Sequence, residues 1–203
     1  MATAVHGGGS PSDWLLRWRH LLAPGRSALD LACGGGRHVR WLASNGLRVT
    51  ALDRDARALA GLSGLDGVST LCADLEAGAW PLPGHQFDLV LVTNYLWRAL
   101  FGQLIDAVAP GGLLIYETFA LGQETVGRPS RPEFLLAPGE LLTLVRPGLQ
   151  VLGYEDGWSS QEPLRRLQRL CAHKPLQAAP DAGAGDAAAA WPRHLRLPDI
   201  DRP

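Results

Sequence analysis

Hydrophobic positions in this chain fall into short aliphatic runs, separated by segments in which apolar residues recur every three or four positions. The runs read as buried strands and the segments as amphipathic helices. Trp14, Trp18 and Leu21 or Leu22 make the first helical stripe. With Ser10 as N-cap, Pro11 at the first helical position and Asp13 at the positive end, a helix is predicted over Pro11 to Leu22. Strands are expected at Ser27 to Ala32, Arg48 to Leu52, Val68 to Cys72, Phe87 to Thr93 and Leu113 to Phe119. Helices are expected at Arg37 to Asn45 (closed by Gly46), Ala56 to Leu62 and Leu96 to Val108. Phe87 to Thr93 is almost wholly apolar, as suits a strand covered on both faces. An irregular stretch, Gly122 to Pro138, leads to a short helix at Gly139 to Val145 and two last strands, Leu149 to Tyr154 and Leu167 to Ala172. Strands alternating with helices imply parallel pairing through right-handed crossovers. The last two strands lack a helix between them and should form an antiparallel hairpin at the sheet edge. The expected fold is α/β, a doubly wound, Rossmann-like sheet of seven strands, five parallel plus the C-terminal antiparallel hairpin.

Composition divides the chain into three regions. Residues 1–9 are small and glycine-rich and read as a flexible N-terminus. Residues 10–174 carry the alternation, within the size of one domain. Residues 175–203, rich in Ala, Pro, Gly and Asp, have little to bury and are expected to be mostly disordered, Trp191, Leu195 and Leu197 included. No apolar run is long enough to span a bilayer, and the first ten residues lack the basic and apolar regions of an export signal. Cys33, Cys72 and Cys171 are odd in number and far apart, which fits reduced thiols in a cytoplasmic protein better than a disulfide framework or a zinc site. His20, His85 and His173 show no ligand spacing, so no metal is expected, and His38 is expected on the surface of its helix. A net charge of −1 offers no general attraction to nucleic acid.

Candidate chemistry concentrates where the first strand ends, in Ala28-Leu29-Asp30-Leu31-Ala32-Cys33-Gly34-Gly35-Gly36-Arg37. Glycines let a ligand approach the backbone, and the helix start behind them offers unpaired amides and a positive dipole end. In open α/β sheets ligands bind outside the carboxyl ends of the strands, near the point where strand order reverses. Acids then close three strands in succession: Asp30, Asp53 and Asp74. An acid about twenty residues beyond the glycines is placed to accept from ribose hydroxyls, and one a strand further out reaches an adenine amine.

These segments resemble the class I S-adenosylmethionine-dependent methyltransferases. Leu29 to Gly36 looks like the family's acid-x-Gly-x-Gly-x-Gly motif, with Ala32 where the first glycine usually stands. Asp53 matches the ribose-binding acid, and Ala73-Asp74-Leu75 the adenine-side motif. Phe87-Asp88-Leu89-Val90 matches the fourth strand, and Pro110-Gly111-Gly112 the turn into the fifth. The general look is of small methyltransferases of the tellurite-resistance type. The resemblance implies S-adenosylmethionine as cofactor: Asp30 meets the methionine amino group, the backbone at Ala32, Gly34 and Gly36 passes close by, Asp53 holds the ribose, and Asp74 with the Leu75 amide reads the adenine. A dinucleotide-binding oxidoreductase would need glycine at position 39, where Val39 stands. A non-catalytic S-adenosylmethionine-binding module is the other alternative.

Methyl transfer from a sulfonium needs alignment and exclusion of water rather than a metal. The acceptor site is expected at the ends of the fourth and fifth strands. There Asn94 and Tyr95 are candidates for lining the methyl site, Asn94 also touching the cofactor, and Glu117 for receiving a proton or placing a cation. Trp97 reads equally well as core. Gly122 to Pro138 is long enough to be a functional lid. Its Arg128 and Arg131, together with Arg98, are candidates for binding an anionic small-molecule substrate.

Overall fold

The computed structural model describes residues 9–146, 148–160, 162–176 and 195. Seven strands form one sheet: β1 Ser27–Leu31, β2 Arg48–Asp53, β3 Val68–Cys72, β4 Phe87–Thr93, β5 Val108–Phe119, β6 Gln150–Trp158 and β7 Arg166–His173. Their order is β3-β2-β1-β4-β5-β7-β6. β1 to β5 pair in parallel, and β7 runs antiparallel between β5 and β6. The chain thus has the expected seven strands, and the hairpin lies at the edge. Strand order reverses between β1 and β4, which opens a crevice at the carboxyl ends of those two strands.

Period-two alternation assigns the strand residues to two cores. Leu29, Leu31, Val90, Val92, Leu114 and Tyr116 face helices α4 (Phe101–Ala107) and α5 (Glu140–Val145). Ala28, Leu89, Leu91, Leu113 and Ile115 face α1 (Asp13–Arg17) and α2 (Arg37–Ser44). A fifth helix in space, α3 (Ala56–Ala60), packs beside β2 and β3. Both faces of the central strands are covered, which is why β4 carries no alternation in its sequence.

The first helix differs from expectation. Ser12, rather than Ser10, is the N-cap, its hydroxyl accepting from the Trp14 amide at 3.1 Å. The α-helix ends at Arg17, and a 3₁₀ turn, Arg19–Leu21, completes the segment. The shift has a tertiary cause: the Ser12 amide donates to His38 Nε2 at 3.2 Å, which holds Ser12 outside the helix. The segment expected at Leu96 to Val108 is also shorter, a 3₁₀ turn at Arg98–Leu100 followed by α4. Gly122 to Pro138 contains two 3₁₀ turns, Gln123–Thr125 and Pro132–Phe134. The expectations for residues 1–8 and for most of the tail lie outside the described residues. Leu195 does dock, packing against the second core beside Leu21, Leu22 and Leu113.

Helix α1 sits on β6 at close quarters. A Cβ at Gly153 would lie 2.5 Å from Cζ2 of Trp18, an indole that is 1% exposed and has nowhere to move. Gly153→Ala is therefore expected to cost about 1–3 kcal/mol by overpacking. Thermal unfolding would register this as a fall of several degrees; an unchanged midpoint would mean that α1 is not clamped on β6.

Candidate cofactor site

The turn after β1 is built from left-handed residues. Ala32 has φ 54°, Gly34 φ 54° and Gly36 φ 77°. For Ala32 this conformation costs about 1–2 kcal/mol, the structural consequence of alanine at the family's first glycine position. Above Gly34 a Cβ would meet nothing within 4 Å, so the crest of the turn faces open space. The Gly34 amide donates to Asp53 Oδ2 at 2.7 Å, tying the turn to the end of β2. Asp53 Oδ1 accepts from the Asp55 amide at 2.9 Å. A carboxylate has about four acceptor positions, so Asp53 retains capacity for hydroxyl donors.

Asp53 lines a cleft of about 200 Å³ together with Ala32, Asp74, Leu75 and Tyr95. Arg54 and Glu76 complete the walls. The sequence reasoning missed both, although each follows or nearly follows a strand-end acid. Asp74 is exposed and accepts from the Glu76 amide at 2.9 Å, which fixes its carboxylate at the mouth. Tyr95 lies in the same cleft as Asp53 and Asp74. Its hydroxyl is buried without a hydrogen-bond partner, and burial, with Glu76 and Asp74 nearby, pushes its pKa up. Its backbone is fixed from below, where the Tyr116 hydroxyl donates to Tyr95 O at 2.7 Å. Nothing in the local sequence signals this positioning role of Tyr116.

Asp30 lies behind the turn with 0% exposure. Neither carboxylate oxygen has a well-formed hydrogen bond. Burial pushes its pKa up to about 8; Arg37 opposes the shift, Asp53 adds to it, and the Val39 amide nearby opposes it slightly. A buried acid so poorly served by donors is costly unless a ligand completes it. Next to Ala32, on the neighbouring strand end, Asn94 also takes a left-handed conformation, φ 55°, with its amide donating to Glu117 O at 2.8 Å. Two strained residues thus flank the crevice, as is common at functional sites.

Other expected residues lie elsewhere. His38 is not on the surface: it is 1% exposed, accepts from the Ser12 amide, and approaches Thr93 Oγ1 at 3.4 Å. Burial, and then Arg37, lower its pKa to about 3, so the ring is neutral. With Nε2 accepting, the ring proton is assigned to Nδ1. Glu117 faces α1, on the opposite side of the sheet from Tyr95. It is 3% exposed, accepts from Ser12 Oγ at 3.0 Å and pairs with Arg169 at 2.7 Å. Arg98 is committed to structure: it forms a fork with Glu140 at 2.5 and 2.9 Å and donates to the carbonyls of Glu133 and Leu135. It pins the 122–138 loop to α5. Arg131 pairs with Glu133 and lies over the Phe134 ring, and Arg128 is exposed. Trp97 packs partly buried against the first core.

Comparison with known proteins agrees with this geometry. Residues 28–112 match the model of the methyltransferase-domain family, a span that holds the glycine turn, Asp53, Asp74 and β4. No curated protein matches the chain significantly. TehB from Haemophilus influenzae superposes with a TM-score of 0.65 at 21% identity, over 85% of this chain and 63% of its own. This chain therefore spans less than two thirds of TehB. An S-adenosylmethionine-dependent methyltransferase from Mesorhizobium loti superposes with a TM-score of 0.61 at 20% identity, over 77% and 95%. The [4+2]-cyclase SpnF gives 0.63 at 19%, over 84% of each chain. The fold is therefore that of these structures, and the stretch from β1 into β5 is similar to the methyltransferase-domain family.

Two predictions follow from the geometry of this site. The folded Asp30 carboxyl keeps its proton up to about pH 8, whereas an unfolded one loses it near 4. Its contribution to stability is full below about pH 4 and is lost as pH rises through 8. Asp30→Asn is expected to gain stability over the native protein progressively from pH 4 to pH 8, measured by thermal unfolding; a pH-independent difference would contradict a buried carboxyl with a raised pKa. Arg98→Ala is expected to cost about 1–2 kcal/mol through lost hydrogen bonds, with affinity for S-adenosylhomocysteine unchanged in calorimetry.

Proposed function

We propose that the protein transfers the methyl group of S-adenosylmethionine to a small-molecule acceptor by in-line displacement, in a cytoplasmic setting. The observation that carries this reading is the shared cleft of Ala32, Asp53, Asp74, Leu75 and Tyr95, with the buried Asp30, whose oxygens lack a well-formed hydrogen bond, behind it. When bound, the cofactor supplies an electrophilic methyl on a positively charged sulfur. Asp53 would hold the ribose hydroxyls with its remaining acceptor positions. Asp74 and the Leu75 amide would receive the adenine edge, with the Tyr95 ring against it. Asp30, ionised on meeting the methionine ammonium, would gain a charged donor, and the open crest at Gly34 leaves room for the carboxylate end. Asn94, held left-handed at the end of β4, would border the acceptor and help keep water out.

Glu117 enters this reading as a positioning residue, through Ser12 and Arg169. Arg128 and Arg131 would act at the outer rim. Neither nucleic acid nor membrane belongs to the proposal, and among the described residues no helix is long and apolar enough to cross a membrane. A second reading, a cofactor-binding module without methyl transfer, has one observation in its favour: a protein described as a cyclase shares the fold at similar TM-score.

Asp53→Ala is expected to weaken binding of S-adenosylhomocysteine by about 2–3 kcal/mol, roughly 30- to 150-fold, by removing a charged acceptor from two hydroxyls. Unchanged affinity in a calorimetric titration would mean that the ribose is held elsewhere. A screen of acceptors that follows S-adenosylhomocysteine release separates the readings. Turnover with one acceptor supports transfer, and tight binding with no turnover across the screen supports the module.

A further inference from the structure

At the amino ends of β1, β4 and β5, the edge of the sheet opposite the cofactor turn, lies a groove of about 180 Å³. Leu47, Leu89 and Leu113 line it and are buried. Leu21 and Leu22, at the end of the 3₁₀ turn that follows α1, are half-buried in the same lining, and Gly111 borders it at the start of β5. The charged residues of the groove answer each other. Arg26 donates to Asp88 at 2.7 Å, and Asp88 also accepts from the amide and the hydroxyl of Ser27, both at 2.8 Å. What remains for an occupant is the leucine lining, which fits an aliphatic segment and gives an ionic ligand no partner.

The chain itself reaches this groove twice. A Cβ on Gly111 would lie 3.2 Å from Leu176 Cδ2, so Leu176 stands at the groove's edge. Leu195, 19 positions later, belongs to the groove's lining and packs half-buried against the second core. The sequence that follows continues the aliphatic pattern: Leu197 stands two positions on, and an extended segment presents both leucines on one face with Arg196 on the other. Pro198 favours that conformation, because it biases the residue before it toward extended backbone and removes a helix donor.

We propose that this groove is the docking site of the chain's own C-terminal segment, Leu195-Arg196-Leu197, with the two leucines inserted and Arg196 turned outward. The same molecule's segment is favoured over a second copy because Leu176 anchors it at the groove's edge. A short tether of this kind gives an effective concentration on the order of millimolar. The closure entropy of the connecting stretch grows only with the logarithm of its length. Docking ties the end of the α1 segment to the starts of β1, β4 and β5. Because the groove and the cofactor cleft lie at opposite ends of the strands, the docked segment stays clear of the cofactor.

The test is trypsin cleavage of the Arg196–Leu197 bond in the full chain under native conditions, followed by mass spectrometry. An isotope-labelled peptide of residues 191–203, added to the same digest, gives the rate for the undocked sequence. The bond is expected to be cut at least tenfold more slowly in the chain than in the peptide. Leu195→Asp, compared with a peptide carrying the same change, is expected to bring the two rates together. Ala23→Asp places a charge in the groove at an exposed position and leaves the segment's sequence intact; it is expected to speed cleavage at least threefold. Protection in the native chain is expected to be constant over a hundredfold range of chain concentration. Equal rates for native chain and peptide would overturn the docking, as would protection that survives Leu195→Asp. Protection retained in full by Ala23→Asp would overturn the groove as its place, and protection that rises with concentration would overturn the same-molecule assignment in favour of a second copy.

Discussion

The hydrogen bond from the Gly34 amide to Asp53 joins the turn after β1 to the end of β2, and the cofactor site is organised around it. The bond holds the crest of the turn in a left-handed path that leaves the backbone bare. It also fixes one oxygen of Asp53, the acid proposed to hold the ribose, and leaves that carboxylate at the wall of the cleft. Parallel β1, β2 and β4 bring the remaining parts within reach, because strand order reverses there and no crossover helix covers the crevice. Alanine at position 32 is tolerated within this frame: its conformational cost is small beside the contacts that hold both ends of the turn.

Around that bond the structure carries two kinds of local expense. Asp30 is a buried acid whose oxygens lack a well-formed hydrogen bond, and Ala32 and Asn94 are non-glycine residues in left-handed conformations. None of these favours the empty fold. In the proposed function each would be relieved or used when a ligand with an ammonium group, hydroxyls and an adenine edge occupies the crevice. The coincidence of all three at one switch point is a stronger argument for a binding site than the cleft's volume alone. The polar row under α1 is different in kind. Ser12, His38, Thr93, Glu117, Arg169 and Glu155 are mutually bonded and fasten the start of the chain across the ends of β4 and β5.

Much of this was legible in the sequence. Most strands were read to within a few residues, because burial on two faces leaves unbroken aliphatic runs such as Phe87–Thr93, but β5 begins at Val108, five residues before the expected Leu113, and takes in Pro110-Gly111-Gly112. Three acids at strand ends and the glycine turn located the cleft residues Ala32, Asp53, Asp74 and Leu75. The errors have physical causes. Ser10 and Ser12 are equally good caps locally, and a bond to His38 from a distant helix decides between them. His38 was readable in principle: it stands four residues before Leu42 on the buried stripe of α2. Glu117 likewise follows Leu113 and Ile115 on the α1 face of β5, where a charge must find a partner. Arg98 carried no such signal, since its fork to Glu140 spans 42 positions.

The central claim, that the strand-end acids and the glycine turn form an S-adenosylmethionine site, is tested most directly by calorimetric titration of the native protein with S-adenosylmethionine and, separately, with NADH. The account predicts saturable one-to-one binding of S-adenosylmethionine at micromolar concentrations and no heat of binding with NADH. Binding of NADH without S-adenosylmethionine would contradict it.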